Sequence, residues 1–165
     1  MDILTPKGQK TVEEEDDAAS LFEAAYPGYL YIRTPKDKPS PVDAIIARDG
    51  VATAVAECKC RHMTLDRLKF GFKWEWLVTN QKIVEGVQAS NLLSIPYVGF
   101  LFLLPERVLL MQKIYDPDKD AFIPSMRIER TMTQATVNGG VANRVNAFID
   151  MSGAAIIRGT TSEAA

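Results

Sequence analysis

Residues Pro41 to Arg61 read PVDAIIARDGVATAVAECKCR. Two runs of small and β-branched residues flank Arg48-Asp49-Gly50. Asp-Gly between apolar runs is a hairpin signal. Yet this hairpin carries Asp43, Glu57 and Lys59. Side chains alternate along a strand, so Val55, Glu57 and Lys59 share one face, while Ala54, Ala56, Cys58 and Cys60 share the other. The small face suits a closely packed helix. If Asp43 faces the Glu57 side, two carboxylates and an ammonium converge. Register decides this, because directly paired residues share a face. A plain two-residue Asp49-Gly50 loop pairs Asp43 with Ala56 and turns it away. Convergence requires a one-residue shift, from a three-residue loop or a bulge.

Working outward, Thr11 and Glu14 have capping-box spacing, and Glu13 to Asp17 suit the first turn of a helix. That helix carries Ala18, Ala19, Leu21 and Phe22 and stops before Pro27-Gly28. Met1 to Lys10 is expected to be a flexible N-terminus. Tyr29 to Thr34 reads as a strand and PKDKPSP as a loop. Residues 61 to 72 are basic and irregular. Thr79-Asn80 opens a helix to about Leu93, with Ile83, Val84, Val87 and Leu92 expected inward. YVGFLFLL and RVLLMQKIY form two more strands around Pro105-Glu106. Farther on, MRIERT could be an edge strand, and TVNGGVANRVNAFIDM a Gly-Gly turn with a short helix. The expected fold is α/β, a central mixed β-sheet flanked by helices. One domain spans residues 11–158, with a core at 11–115 and an extension at 116–158, before a flexible tail at 159–165.

The 165 residues carry a net charge of −2, which does not advertise nucleic-acid binding by the chain as a whole. The distribution is uneven, however: Arg61, Arg67, Lys69 and Lys73 cluster after the hairpin, interleaved with Phe70, Phe72, Trp74 and Trp76. Such a segment could track phosphates and stack on bases, or its aromatics could fold back into the core. Cys58 and Cys60 alone do not make a zinc site. No signal peptide is expected from the opening residues, and the apolar run Val98 to Leu104 is too short for a bilayer. The chain is expected to be cytoplasmic, without a membrane partner.

Two carboxylates and a backbone carbonyl suit a hard divalent cation, Mg²⁺ or Mn²⁺. Such an ion polarises a phosphodiester and acidifies a bound water, and a lysine beside it can steady developing charge. The alternative for the trio is a solvated strand face with a weak cross-strand salt bridge.

Pro41-Val42-Asp43, thirteen intervening residues and Glu57-Cys58-Lys59 resemble the PD-(D/E)XK nuclease superfamily. The order helix, strand, strand, strand, helix, strand is similar to its restriction-endonuclease-like αβββαβ core. The resemblance covers roughly residues 11 to 115. It implies a metal-dependent phosphodiesterase, with Asp43, Glu57 and the Cys58 carbonyl as Mg²⁺ ligands and Lys59 as the catalytic lysine. Members such as archaeal-type Holliday junction resolvases add a glutamate from the first helix, for which Glu15 is the match. A polar or basic residue early in the second helix would be Gln81 or Lys82. Arg61, Lys69, Lys73 and Lys82 are the expected DNA contacts. The implied activity is a structure-selective DNA endonuclease acting as a homodimer, joined through the FLFLLPERVLLMQKI hairpin or the C-terminal segment. An exonuclease or restriction-like nuclease on the same fold, or a non-catalytic DNA-binding module, are the alternatives.

Overall fold

The computed structural model describes residues 6–132 and 142–160. The chain runs α1 (Pro6–Ala25), β1 (Tyr29–Arg33), β2 (Ala44–Arg48), β3 (Val51–Arg61), a π-helical turn (Arg67–Gly71), β4 (Glu75–Thr79) and α2 (Asn80–Leu93). It continues as β5 (Tyr97–Leu103), β6 (Val108–Asp116), β7 (Ala121–Phe122), β8 (Met126–Met132), β9 (Asn143–Asp150) and β10 (Ala155–Arg158). The fold is α/β with a mixed main sheet in the order β1-β2-β3-β5-β6-β10, with β7 added on β6. Within it β3 and β5 run parallel, and all other pairs are antiparallel. A second antiparallel sheet has the order β4-β9-β8.

Helix α1 begins earlier than expected. Residues 6–10 are helical rather than a loose terminus. Pro6 suits the opening turn of a helix, where its missing N–H is no loss. Thr11 is therefore inside the helix and caps nothing: its Oγ1 donates to the Lys7 carbonyl at 3.0 Å. No acid lies in the first turn, so Glu13 to Asp17 fall mid-helix. Ala18 and Phe22 pack on Ala44, Ala54, Ala56 and Cys58, the small-residue face anticipated for β3. Phe22 meets Phe100 edge-on at 5.2 Å between ring centres.

The other face of the sheet packs under α2 and the small sheet. Val55, Tyr97, Leu101 and Ile114 meet Ile83, Trp76, Val78 and Ile149 there. Helix α2 turns Ile83, Gly86 and Ser90 inward. Val84 and Leu92, expected inside, are 42% and 84% exposed. The buried stripe follows 83, 86 and 90 because Gly86 lets the helix approach Tyr97; a Cβ at 86 would lie 2.3 Å from the ring.

Residues 143–150 form strand β9 rather than a helix. Ala147 and Ile149 are both fully buried, a period of two. Gly139-Gly140 and the tail from 161 lie outside the described residues. The β5–β6 hairpin, expected as a dimer interface, lies inside the sheet between β3 and β10. Of the two expected interfaces, only the C-terminal segment, as β10, lies at a sheet edge. No helix among the described residues is long and apolar enough to cross a membrane.

At the β2–β3 turn, Asp49 and Gly50 have φ of 52° and 77°, as a type I′ hairpin requires. Gly50→Val places a branched side chain in the left-handed region, at a cost of about 1–2 kcal/mol. Thermal unfolding is expected to show a midpoint lower by about 2–8 °C. An unchanged midpoint would contradict this turn.

Candidate active site

The hairpin supplies the shift that convergence requires. Arg48 pairs with Val51 and Ala47 with Ala52, but Ile46 pairs with Ala54. Thr53 is the extra residue of a bulge, and its Oγ1 donates to the Ile46 carbonyl at 3.1 Å. Ala44 then pairs with Ala56. Asp43, one residue beyond, stands across from Glu57, and its N–H donates to the Ala56 carbonyl at 2.9 Å.

Three acids and three lysines gather here. Asp43 Oδ2 accepts the Cys58 N–H at 3.0 Å and lies 3.5 Å from Lys59 Nζ. Lys59 Nζ also donates to Glu57 Oε1 and, at 3.3 Å, to the Cys58 carbonyl. Lys82, from the first turn of α2, places Nζ 3.6 Å from Glu57 Oε2 and 3.9 Å from Asp43 Oδ1. Its Nζ also donates to the Ser40 carbonyl at 3.3 Å. Lys36, from the loop before β2, lies 3.0 Å from Glu15 Oε2 and 3.3 Å from Asp43 Oδ1. Glu15 accepts the Tyr31 hydroxyl at 2.9 Å. The group opens on a cleft of about 570 Å³ whose walls include Lys36, Asp43, Lys59 and Lys82.

The environments push the two central carboxyls apart. Burial raises Asp43, but Lys59, Lys36, the Cys58 N–H and Lys82 outweigh it and hold the group below the usual aspartate range. Burial also raises Glu57, and here it wins: Lys59 lowers the group, Asp43 raises it again, and the result stays above the usual glutamate range. Burial lowers Lys59, but Glu57 and Asp43 more than reverse this and keep its ammonium charged. A pair of carboxyls with opposed shifts is the arrangement in which two acids take different roles.

The donor set fits a hard divalent cation. Glu57 is wholly buried, and its Oε2 has no hydrogen-bond partner. Lys82 Nζ, 3.6 Å from that oxygen, is an ion-pair partner beyond hydrogen-bond reach. A buried carboxylate oxygen without a hydrogen bond is costly, so a ligand there would relieve part of that penalty. Asp43 and the Cys58 carbonyl complete an oxygen set beside it. No group of three or more His, Cys, Asp or Glu that could hold a metal occurs among the described residues. The set here is two side chains and one backbone oxygen, and Mg²⁺ keeps several waters and uses one or two carboxylates.

No protein-family model matches the chain, and no curated protein matches it.

Of the residues anticipated from sequence, Asp43, Glu57, Cys58, Lys59 and Lys82 lie together. Glu15 is buried beside them, but its link to Asp43 runs through Lys36. Glu14, read as a cap partner, instead faces His62 at 3.3 Å. Arg61 continues the Glu57–Lys59 face of β3, half-buried, donating to the Cys60 carbonyl. Among the described residues neither Lys69 nor Lys73 pairs with an acid of the cluster. Lys69 lies over the Phe70 ring at 5.1 Å. Lys73 stands near Glu75, whose carboxyl is lowered first by the Arg127 hydrogen bond and in smaller part by Lys73. The aromatics divide: Phe70 and Phe72 are exposed, while Trp76 is in the core. Lys36 and Tyr31 escaped sequence reasoning. The available signal was two lysines in a proline-rich loop directly before Asp43.

Proposed function

We propose that the protein is a metal-dependent DNA endonuclease of the PD-(D/E)XK kind, hydrolysing phosphodiesters in branched or junction DNA. The observation that carries this reading is the Thr53 bulge, which brings Asp43 across from Glu57 beside Lys59. Asp43, Glu57 and the Cys58 carbonyl would hold Mg²⁺ or Mn²⁺. That ion would supply Lewis acidity toward the scissile phosphate and a more acidic water. Lys59 keeps a charged ammonium beside both carboxylates and would stabilise the negative charge of the transition state. Lys82, at the rim, would hold a neighbouring phosphate. Arg61, farther along the same strand face, extends the cationic track, and exposed Phe70 and Phe72 offer stacking faces. A homodimer, joined through the β10 edge, would present two sites to two strands. A cytoplasmic location belongs to the same reading.

The test is a cleavage assay on duplex, single-stranded, flap and four-way-junction DNA with Mg²⁺, Mn²⁺ or EDTA. Metal-dependent cutting of the branched substrates is expected, with symmetric nicks on the junction. Absence of cutting on every substrate with either metal would refute the nuclease reading. End-dependent degradation of plain duplex would replace the endonuclease by an exonuclease.

A further inference from the structure

Lys36 occupies an unusual position for a residue of a cleft that would receive a phosphodiester. Its ammonium is spent on Glu15 and Asp43. Lys59 and Lys82 are spent on Asp43 and Glu57 in the same way. The ammonium charges of Lys36, Lys59 and Lys82 thus balance the carboxylates of Glu15, Asp43 and Glu57. In this arrangement the cluster attracts neither a cation nor an anion strongly. A divalent cation between Asp43 and Glu57 leaves positive charge in excess and sets the ion against the lysines. The lysine with the most freedom to leave is the one on a loop. Lys36 is held by no strand or helix and lines the cleft. Its side chain, 19% exposed, is more covered than those of Lys59 and Lys82, at 29% and 27%, so its freedom comes from the loop and not from exposure. It faces the Asp43 oxygen, Oδ1, that Lys59 does not touch.

We propose that Lys36 is a displaceable counter-ion: it neutralises Glu15 and Asp43 until a divalent cation binds Asp43, then turns into the cleft and binds a phosphate of the DNA. This inference rests on the nuclease reading and adds a coupling to it. The cation releases a phosphate-binding charge, and DNA that takes up this charge favours the cation. Such coupling is reciprocal. The consequence is opposite signs for one substitution. Removing the Lys36 charge removes a competitor of the cation and also removes a DNA contact. A lysine that merely braces the loop would weaken both or neither.

The experiment compares the wild-type chain with Lys36→Met, Lys36→Gln and Lys36→Arg, first checking by thermal unfolding that all are folded. Mn²⁺ binding, read by electron paramagnetic resonance without DNA, is expected to tighten on the order of tenfold in Lys36→Met and Lys36→Gln. Lys36→Arg keeps the charge and stays near wild type. Binding of a four-way junction with Ca²⁺, which limits cleavage, is expected to weaken in Lys36→Met. The slope of log affinity against log salt should become shallower by about 1. In EDTA the same substitution should change junction affinity little, since the ammonium is then tied to acids. Unchanged or weaker Mn²⁺ binding in both neutral variants overturns the inference and leaves the nuclease reading standing. So does equal loss of junction affinity with and without Ca²⁺. A wild-type chain that binds no Mn²⁺ overturns both.

Discussion

Asp43→Asn and Glu57→Gln are expected to reduce metal-dependent cleavage by about 10³-fold or more, and Lys59→Ala by about 10²–10³-fold. Loss of one preorganised electrostatic stabiliser already costs about 10²–10³, and the two acid variants also remove a charged donor to the ion. Both are nearly isosteric, so the amide oxygen introduced by Asp43→Asn can still accept the Cys58 N–H that Asp43 takes now. The three changes should differ in stability. Without the Asp43 charge, Lys36, Lys59 and Lys82 have an anion fewer, but all three are partly exposed and can turn to water. Without Lys59, Glu57 loses its direct donor inside a site where it has no exposure. Lys82, 3.6 Å from the other oxygen, remains as a more distant partner, and a buried charge that loses its direct partner costs more than an exposed one. Thermal unfolding should therefore rank Lys59→Ala as the least stable. Cleavage within tenfold of wild type in Glu57→Gln and Lys59→Ala, with folding intact, would sink the mechanism.

Gly86→Ala is expected to destabilise the fold by about 1–3 kcal/mol, the usual penalty of an overpacked core. In an exposed helix the same change would help, because alanine exceeds glycine in helix propensity by about 1 kcal/mol. Here space decides the sign. The new Cβ would meet Tyr97 Cζ at 2.3 Å, Cε1 at 2.4 Å and Cε2 at 2.6 Å. Tyr97 is fully buried, and its hydroxyl donates to the Lys82 carbonyl at 3.3 Å. The ring cannot leave, so the helix must move, and Lys82 moves with it. The midpoint should fall by roughly 2–12 °C, and junction affinity should fall too. Tyr97→Leu in the same chain should recover part of the loss, as coupled neighbours do. A midpoint equal to or above wild type in Gly86→Ala would show that α2 does not approach Tyr97 this closely.

The sequence made the hairpin, the small-residue face of β3 and the Glu57–Lys59 pair legible, because these follow from local alternation. It did not announce the bulge. Thr53 is an ordinary strand residue, and only the sheet pairings show that it is the extra one. Lys36 was hidden for a different reason. It belongs to a polar loop without periodicity, and its distances to Glu15 and Asp43 depend on how β2 and α1 are docked. The early start of α1 had a readable sign in Pro6, obscured by the spacing of Thr11 and Glu14. In β9 the alternation of Val145, Ala147 and Ile149 was present but was overruled by the preceding glycines.

The pleat of β3 gives its two sides separate masters. At Cys58 the side chain is buried among Ala18, Phe22 and Phe100 on the α1 side, while its peptide N–H and carbonyl face Asp43 and Lys59. A substitution at this position is therefore felt by helix docking, and any small residue presents the same amide to Asp43 and Lys59. Substitutions at positions 57 and 59 act instead on the acid–lysine cluster. If the proposed nuclease reading holds, one row of side chains can be repacked for stability without touching the row that would carry the chemistry, which would loosen the common trade-off between a stable enzyme and an active one.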